Sequence, residues 1–205
     1  MCLIVINKGK KIDLVDFREM YLVNSDGIGF MYHDIESKKV ITQKVILKYG
    51  ELPVNMFHDK LQQIYRAYEM VYDDPKLTNL VLHFRKATTG DINLQNCHPI
   101  NYLDSNGVEC YLMHNGHIGA YANGFKRDDL KFKPSDTYNF AKDFLEGHER
   151  LIKQIGDEAG RHQKFVILKD GDLKVHADTY YFTEIDNDGN VYSNDFWVPE
   201  GGWNK

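Results

Sequence analysis

Apolar and polar positions along this chain repeat with two periods, one of strands and one of helices. Leu3-Ile4-Val5-Ile6 is a short apolar run and reads as a buried strand. Leu14, Phe17, Met20 and Tyr21 recur at helical spacing over 13–22, with Asp13 as N-cap. Asn24-Ser25-Asp26-Gly27-Ile28-Gly29-Phe30-Met31-Tyr32 follows, and its two glycines predict a tight turn into a strand with close backbone approach. The Val-, Ile- and Thr-rich stretch 39–47 pairs back on 28–32. Over 54–72, Phe57, Leu61, Ile64, Tyr65, Tyr68 and Val71 share one helical face, and Asp73-Asp74-Pro75 ends the helix. Leu80-Val81-Leu82 is a second buried strand, which delivers Arg85 to its end. The loop after it is marked by Gly90 and Asp91 and closed by Pro99.

In the second half, 101–108 reads as a polar loop with Asp-Ser-Asn-Gly turn chemistry. A strand over 109–113 runs into His114-Asn115-Gly116-His117. Ser135 or Asp136 caps a helix over 138–145 that turns Phe140, Ala141 and Phe144 inward, and a further helical stretch covers 148–155. The tail alternates as two hairpins: 164–169 with 173–176 around Asp170-Gly171, and 180–185 with 191–197 around Asp188-Gly189. Residues 199–205 read as a loose end. With no internal repeat or low-complexity linker, the expectation is a single domain over 1–198 and a tail over 199–205.

Composition narrows the class without naming it. A net charge of −5 gives no reason to expect nucleic acid or an anionic membrane surface as partner. No apolar run reaches the length of a membrane span, and no basic segment leads into a long apolar one, so a cytoplasmic protein is the expectation. Three cysteines form no disulfide framework. The 26–29 turn makes a poor phosphate loop, having no third glycine, no Lys-Ser/Thr and no helical pattern after it.

Four stretches carry chemistry. Cys2 follows the initiator methionine, and removal of Met1 would put a thiol and a free α-amine on one residue. Those groups titrate near ~8.5 and ~8, within reach of proton transfer at neutral pH. The plainer reading of Cys2 is a small hydrophobe opening a buried strand. Arg85, at a strand end in His83-Phe84-Arg85-Lys86-Ala87-Thr88-Thr89, can present its planar fork to a carboxylate, or pair with a surface acid. Asn115-Gly116 is either a hairpin turn or an oxyanion hole, with an asparagine side-chain N–H and a glycine backbone N–H aimed at one point. Pro134-Ser135-Asp136-Thr137 brings a carboxylate to a helix start. Cys97, His98, His114 and His117 match no standard zinc spacing, and neighbours such as Cys97 and His98 point apart on an extended chain; no metal and no cofactor are expected.

Taken in order, Cys2, the stretch from His83-Phe84-Arg85 to Asn96-Cys97-His98-Pro99, His114-Asn115-Gly116 and Ser135-Asp136-Thr137 resemble the glutaminase domain of class II glutamine amidotransferases, which are N-terminal-nucleophile (Ntn) hydrolases. Asp26-Gly27-Ile28-Gly29 looks like that family's turn after its first helix. The resemblance has landmarks over about 2–145 and implies an α+β fold, a four-layer α/β/β/α sandwich of two mostly antiparallel sheets. It implies that Cys2 attacks the side-chain amide of glutamine or a related γ-glutamyl amide, forms a thioester and releases ammonia and then glutamate. Asn115 and Gly116 would hold the oxyanion, Arg85 the substrate α-carboxylate and Asp136 the α-ammonium, while Thr88 and His98 match positions lining the same pocket. Two features depart from the family: Tyr138 stands where an acidic residue often follows Ser135-Asp136-Thr137, and the sequence stops before an ammonia-using domain would fit. A stand-alone member is therefore expected, with room for a separate ammonia-using synthetase subunit as partner. The alternatives are a catalytically silent Ntn-fold binding or regulatory module, and a hydrolase of a different γ-glutamyl compound.

Overall fold

The structure, a computed structural model, describes residues 2–122, 129–146, 163–177, 182–184 and 188–198. Two antiparallel sheets stack face to face. The larger runs in the order β3 (Val40–Val45), β2 (Ile28–Asp34), β4 (Leu77–Phe84), β1 (Leu3–Ile6), β10 (Val191–Tyr192), β9 (Thr183–Glu184). The smaller runs β5 (Ile100–Leu103), β6 (Glu109–Asn115), β7 (Lys164–Lys169), β8 (Asp172–Ala177).

The alternation of each strand decides which core it serves. In β1, Leu3 and Val5 face the helical side, where they pack with Phe17, Tyr21, Phe57, Leu61 and Tyr68. These helical residues come from α1 (Leu14–Val23) and α2 (Val54–Asp73). Ile4 and Ile6 point the other way and pack between the sheets with Met31, Val81, Met113, Val166 and Leu168. A third cluster, beyond the smaller sheet, joins Ile100, Leu112, Phe165 and Ile167 to Phe140, Ala141 and Leu145. Helix, sheet, sheet and helix therefore form four layers, as expected of the α/β/β/α sandwich.

Local chemistry accounts for the boundaries. The Asp13 side chain accepts from Asp16 N at 2.9 Å and caps α1. Six apolar residues of α2 share a buried face: Phe57, Leu61, Ile64, Tyr65, Tyr68 and Val71. Each contributes about 1.5–3 kcal/mol by leaving water. Ile28 pairs with Val45 and with Phe84, so β2 lies between β3 and β4.

Three expectations need correction. Residues 101–103 are strand, not loop: β5 pairs Ile100 with Leu112 and Tyr102 with Cys110. Its buried positions alternate with exposed Asn101 and Leu103, too short a pattern to stand out beside the Asp104–Gly107 turn. The helix after Ser135 is α-helical only over α4 (Asp136–Phe140) and continues as a π-helical turn over Ala141–Leu145. Phe140, Ala141 and Phe144 turn inward as expected, Phe144 partly buried, and Leu145 joins them fully buried. β10 is two residues long rather than reaching Trp197. The hairpin over 164–177 forms as expected, and the second joins β9 to β10 antiparallel. The helical stretch 148–155 and the tail 199–205 lie outside the described residues. Among the described residues no helix is long and apolar enough to cross a membrane.

Candidate active site

Leu3 pairs with Phe84 across β1 and β4, so Cys2 and Arg85 lie together just beyond the paired ends. Lys86 N donates to Cys2 Sγ at 3.3 Å, and the thiol faces Lys86 O at 3.4 Å. Burial raises the Cys2 thiol above its ordinary range; the Lys86 N–H and the Arg85 charge draw it back only in part. A thiol held this way is mostly protonated at neutral pH and needs a base to become a nucleophile.

The glycine turn positions the arginine. Asp26 N donates to Arg85 O at 2.9 Å, Arg85 N to Gly27 O at 2.8 Å, and Ala87 N to Asp26 Oδ2 at 2.8 Å. Gly27 has a φ of 143°, which favours glycine. At Gly29 a Cβ would lie 1.8 Å from His98 O, so the expected close approach is to the residue before Pro99. The Arg85 side chain is 3% exposed. Its Nη2 donates to Asp91 O at 3.1 Å and Thr89 O at 3.4 Å, while Nη1 has no partner. Among the described residues no carboxylate pairs with this guanidinium. A buried cation without a counter-anion is costly unless something else supplies one.

Asp136, 5% exposed in the first turn of α4, accepts from Thr89 Oγ at 3.0 Å, Thr137 N at 2.9 Å and Ile118 N at 2.7 Å. Its Oδ2 also lies 3.5 Å from Nδ1 of the exposed His117. Thr89 thus ties the Arg85 loop to Asp136, whereas Thr88 is exposed.

Asn115 ends β6. The strand leads into α3 (Gly119–Ala122) rather than turning into a hairpin at Asn115-Gly116. The Asn115 side chain is buried, its Nδ2 donating to Ser193 Oγ at 2.8 Å and its Oδ1 unpartnered. Gly116 is partly buried beside it. Ser193 Oγ also accepts from Ile4 N at 2.8 Å, and Asn194 Nδ2 donates to Cys2 O at 2.7 Å. Neither residue stood out in the sequence. The signal available was the polar run Ser193-Asn194-Asp195, which interrupts the alternation of the expected strand.

His98 lies between the sheets, against His83 and His114, rather than at the surface of the site. Its Nδ1 is 2.8 Å from His83 Nε2 and 3.4 Å from His114 N, and His83 Nε2 is 3.1 Å from His114 O. Burial holds all three imidazoles below the ordinary range, His83 to about 3. Burial also pushes the Cys97 thiol up, to about 11. Among the described residues no three His, Cys, Asp or Glu side chains converge as a metal site would require.

Residues 18–137 match the family of class-II glutamine amidotransferases, over more than half of the chain. The chain belongs to that family. Its fold is the Ntn-hydrolase sandwich, and membership implies hydrolysis of glutamine amides in general at an N-terminal cysteine. Among solved structures, glutamine phosphoribosylpyrophosphate amidotransferase from B. subtilis, complexed with ADP and GMP, is 14% identical, with 94% of this chain covering 42% of that one at a TM-score of 0.48. A second, the allosteric regulatory enzyme of purine biosynthesis, is 16% identical, with 94% covering 41% at a TM-score of 0.50; it is the one that bears on the fold. The chain spans about two fifths of the length of these structures. No curated protein matches it.

Proposed function

We propose that this chain hydrolyses the side-chain amide of glutamine, or of a closely related γ-glutamyl compound, with Cys2 as nucleophile after loss of Met1. The observation that carries this reading is the buried Arg85, with Nη1 unpartnered, at the strand end beside Cys2. A substrate α-carboxylate meets that need with a charge-assisted hydrogen bond. Asp136 is the anion for the α-ammonium, which takes the place of the exposed His117 ring beside Oδ2. The amide carbon then lies toward Sγ.

The α-amine of Cys2 accepts the thiol proton as sulfur adds to the carbonyl. The second N–H of Asn115 and the Gly116 N–H stabilise the oxyanion. As the intermediate collapses, the α-ammonium of Cys2 returns its proton to the leaving nitrogen, which departs as ammonia and leaves a γ-glutamyl thioester. Water, deprotonated by the same amine, releases glutamate. His98 acts at a distance, packing the loop that carries Arg85 against Gly29. In this reading residues 1–198 form a single amidotransferase domain in the cytoplasm. The ammonia goes to an acceptor on a separate synthetase subunit.

The test is release of ammonia and glutamate from glutamine and simple γ-glutamyl amides by protein confirmed to begin at Cys2. Cys2→Ser is expected to abolish turnover. Asn115→Ala is expected to lower kcat by roughly 10²–10³-fold, as for one lost oxyanion donor. Wild-type protein that begins at Cys2 and releases nothing from any γ-glutamyl amide would favour the silent-module reading.

A further inference from the structure

The end of β10 makes contacts that the reaction above does not use. Ser193 N donates to Ile4 O at 2.9 Å, and Ser193 Oγ accepts from Ile4 N at 2.8 Å. This serine side chain therefore continues the β1–β10 ladder beyond its last paired residues, Val5 and Tyr192. The second lone pair of the same oxygen accepts from Asn115 Nδ2 at 2.8 Å. Asn194 Nδ2 donates to Cys2 O at 2.7 Å, while its Oδ1 accepts from Phe196 N at 3.3 Å, so that amide is held at both ends. Two adjacent side chains thus bind the backbone of Cys2 from one sheet and the amide of Asn115 from the other.

We propose that Ser193 and Asn194 are positioning residues for the proposed amide hydrolysis: Ser193 orients the Asn115 amide and Asn194 holds the Cys2 backbone, which fixes the distance between nucleophile and oxyanion donor. The inference rests on the proposed function for its kinetic arm. The geometric reason is the shape of a primary amide. With one N–H committed to Ser193, the second N–H of the planar group has one direction available, and that direction is set by the Ser193 oxygen. A flipped amide would put both donors where Oδ1 now lies buried and without a partner. Ser193 is in turn held by both backbone groups of Ile4, two residues from the nucleophile. A shift of β1 therefore moves the thiol and the amide together.

The experiment is a double-mutant cycle on wild-type protein confirmed by mass to begin at Cys2, with glutamine as substrate. Ser193→Ala is expected to lower kcat by about tenfold, less than the roughly 10²–10³-fold of removing the donor itself, with KM unchanged because the oxyanion exists only in the transition state. Added to Asn115→Ala, it should cost nothing further. Ser193→Thr, which keeps the hydroxyl, should recover most of the rate. Asn194→Asp, which turns an acceptor toward the Cys2 carbonyl, should also lower kcat. An unchanged kcat in Ser193→Ala, or losses that multiply with Asn115→Ala, would overturn the assignment. A second readout does not depend on turnover. In ¹⁵N-labelled protein, one side-chain amide proton of Asn115, assigned through Asn115→Ala, should exchange slowly in wild type and fast in Ser193→Ala. Wild-type protein inactive on glutamine and on simple γ-glutamyl amides with that protection present would reject the proposed function and keep the clamp. Absence of protection in wild type would reject the clamp itself.

Discussion

Lowering the pH below neutrality should unfold this protein through its buried histidines before its carboxylates protonate. His83, His98 and His114 are 0%, 5% and 2% exposed. His114 N can only donate, so His98 Nδ1 is an acceptor and carries no proton. His83 Nε2 therefore donates to His98 Nδ1 and His114 O, and His83 Nδ1 is a buried lone pair without a partner. A second proton on His83 would put a charge in a buried site near Arg85, and the hydrogen bond to its own backbone carbonyl offsets that burial only in part. The folded-state values lie below the unfolded value near ~6.5, so the unfolded chain binds more protons in this range. Stability is thus fully present above about pH 6.5 and falls as the pH drops toward the folded values. Each unprotonated histidine costs about 1.4 kcal/mol per pH unit over that window. His83, with a folded value of about 3, accounts for about 2 kcal/mol between about pH 6.5 and 4.5. That is a large share of the roughly 5–15 kcal/mol of a typical domain, before the other two histidines are counted. Urea unfolding at fixed temperature across that range reads the slope directly, and His98→Gln should reduce it. A stability that stays flat from about pH 6.5 to 4.5, or an uptake of less than one proton on unfolding, would refute the reasoning.

The proposed substrate handles should separate in steady-state kinetics. Arg85→Lys keeps the charge but loses the fork, and should raise KM for glutamine by about 10- to 100-fold, the equivalent of one charge-assisted bond. Asp136→Asn should likewise act mainly on KM, since both contacts exist in the ground state and the transition state; wild-type KM in both variants would reject the clamp. Gly29→Ala places a methyl 1.8 Å from His98 O, so the backbone must move. It should destabilise the fold by about 1–3 kcal/mol or more in urea unfolding, and a neutral result would mean that the two segments are not in contact.

Where the sequence carries a long periodic signal, its reading and the structure agree. The α2 face, the Asp13 cap, the β2–β3 pairing and the delivery of Arg85 by β4 follow from patterns several residues long. The glycine turn was also readable, because positive φ and close approach leave few residues other than glycine. What escaped depends on long-range partners. β5 is an edge strand whose alternation covers four residues. The π-helical turn at 141–145 has no sequence signature, and the burial of Leu145 beside the partly buried Phe144 was not read from the sequence. Thr89, Ser193 and Asn194 matter through contacts 47, 78 and 192 residues away along the chain, which no local pattern encodes. Thr88 and Thr89 are equivalent by composition, and the fold alone puts Thr89 on Asp136.

The central claim, that Cys2 becomes the N-terminal nucleophile of a γ-glutamyl amide hydrolase, is tested most directly by trapping the intermediate. Native protein is mixed with glutamine, quenched in acid during turnover and examined by intact mass and peptide mapping. The account predicts a chain that begins at Cys2 and carries a γ-glutamyl thioester on that residue, absent from Cys2→Ser and unaffected by Cys97→Ser. A chain that retains Met1 yet turns over glutamine, or an adduct on Cys97 instead of Cys2, would contradict it.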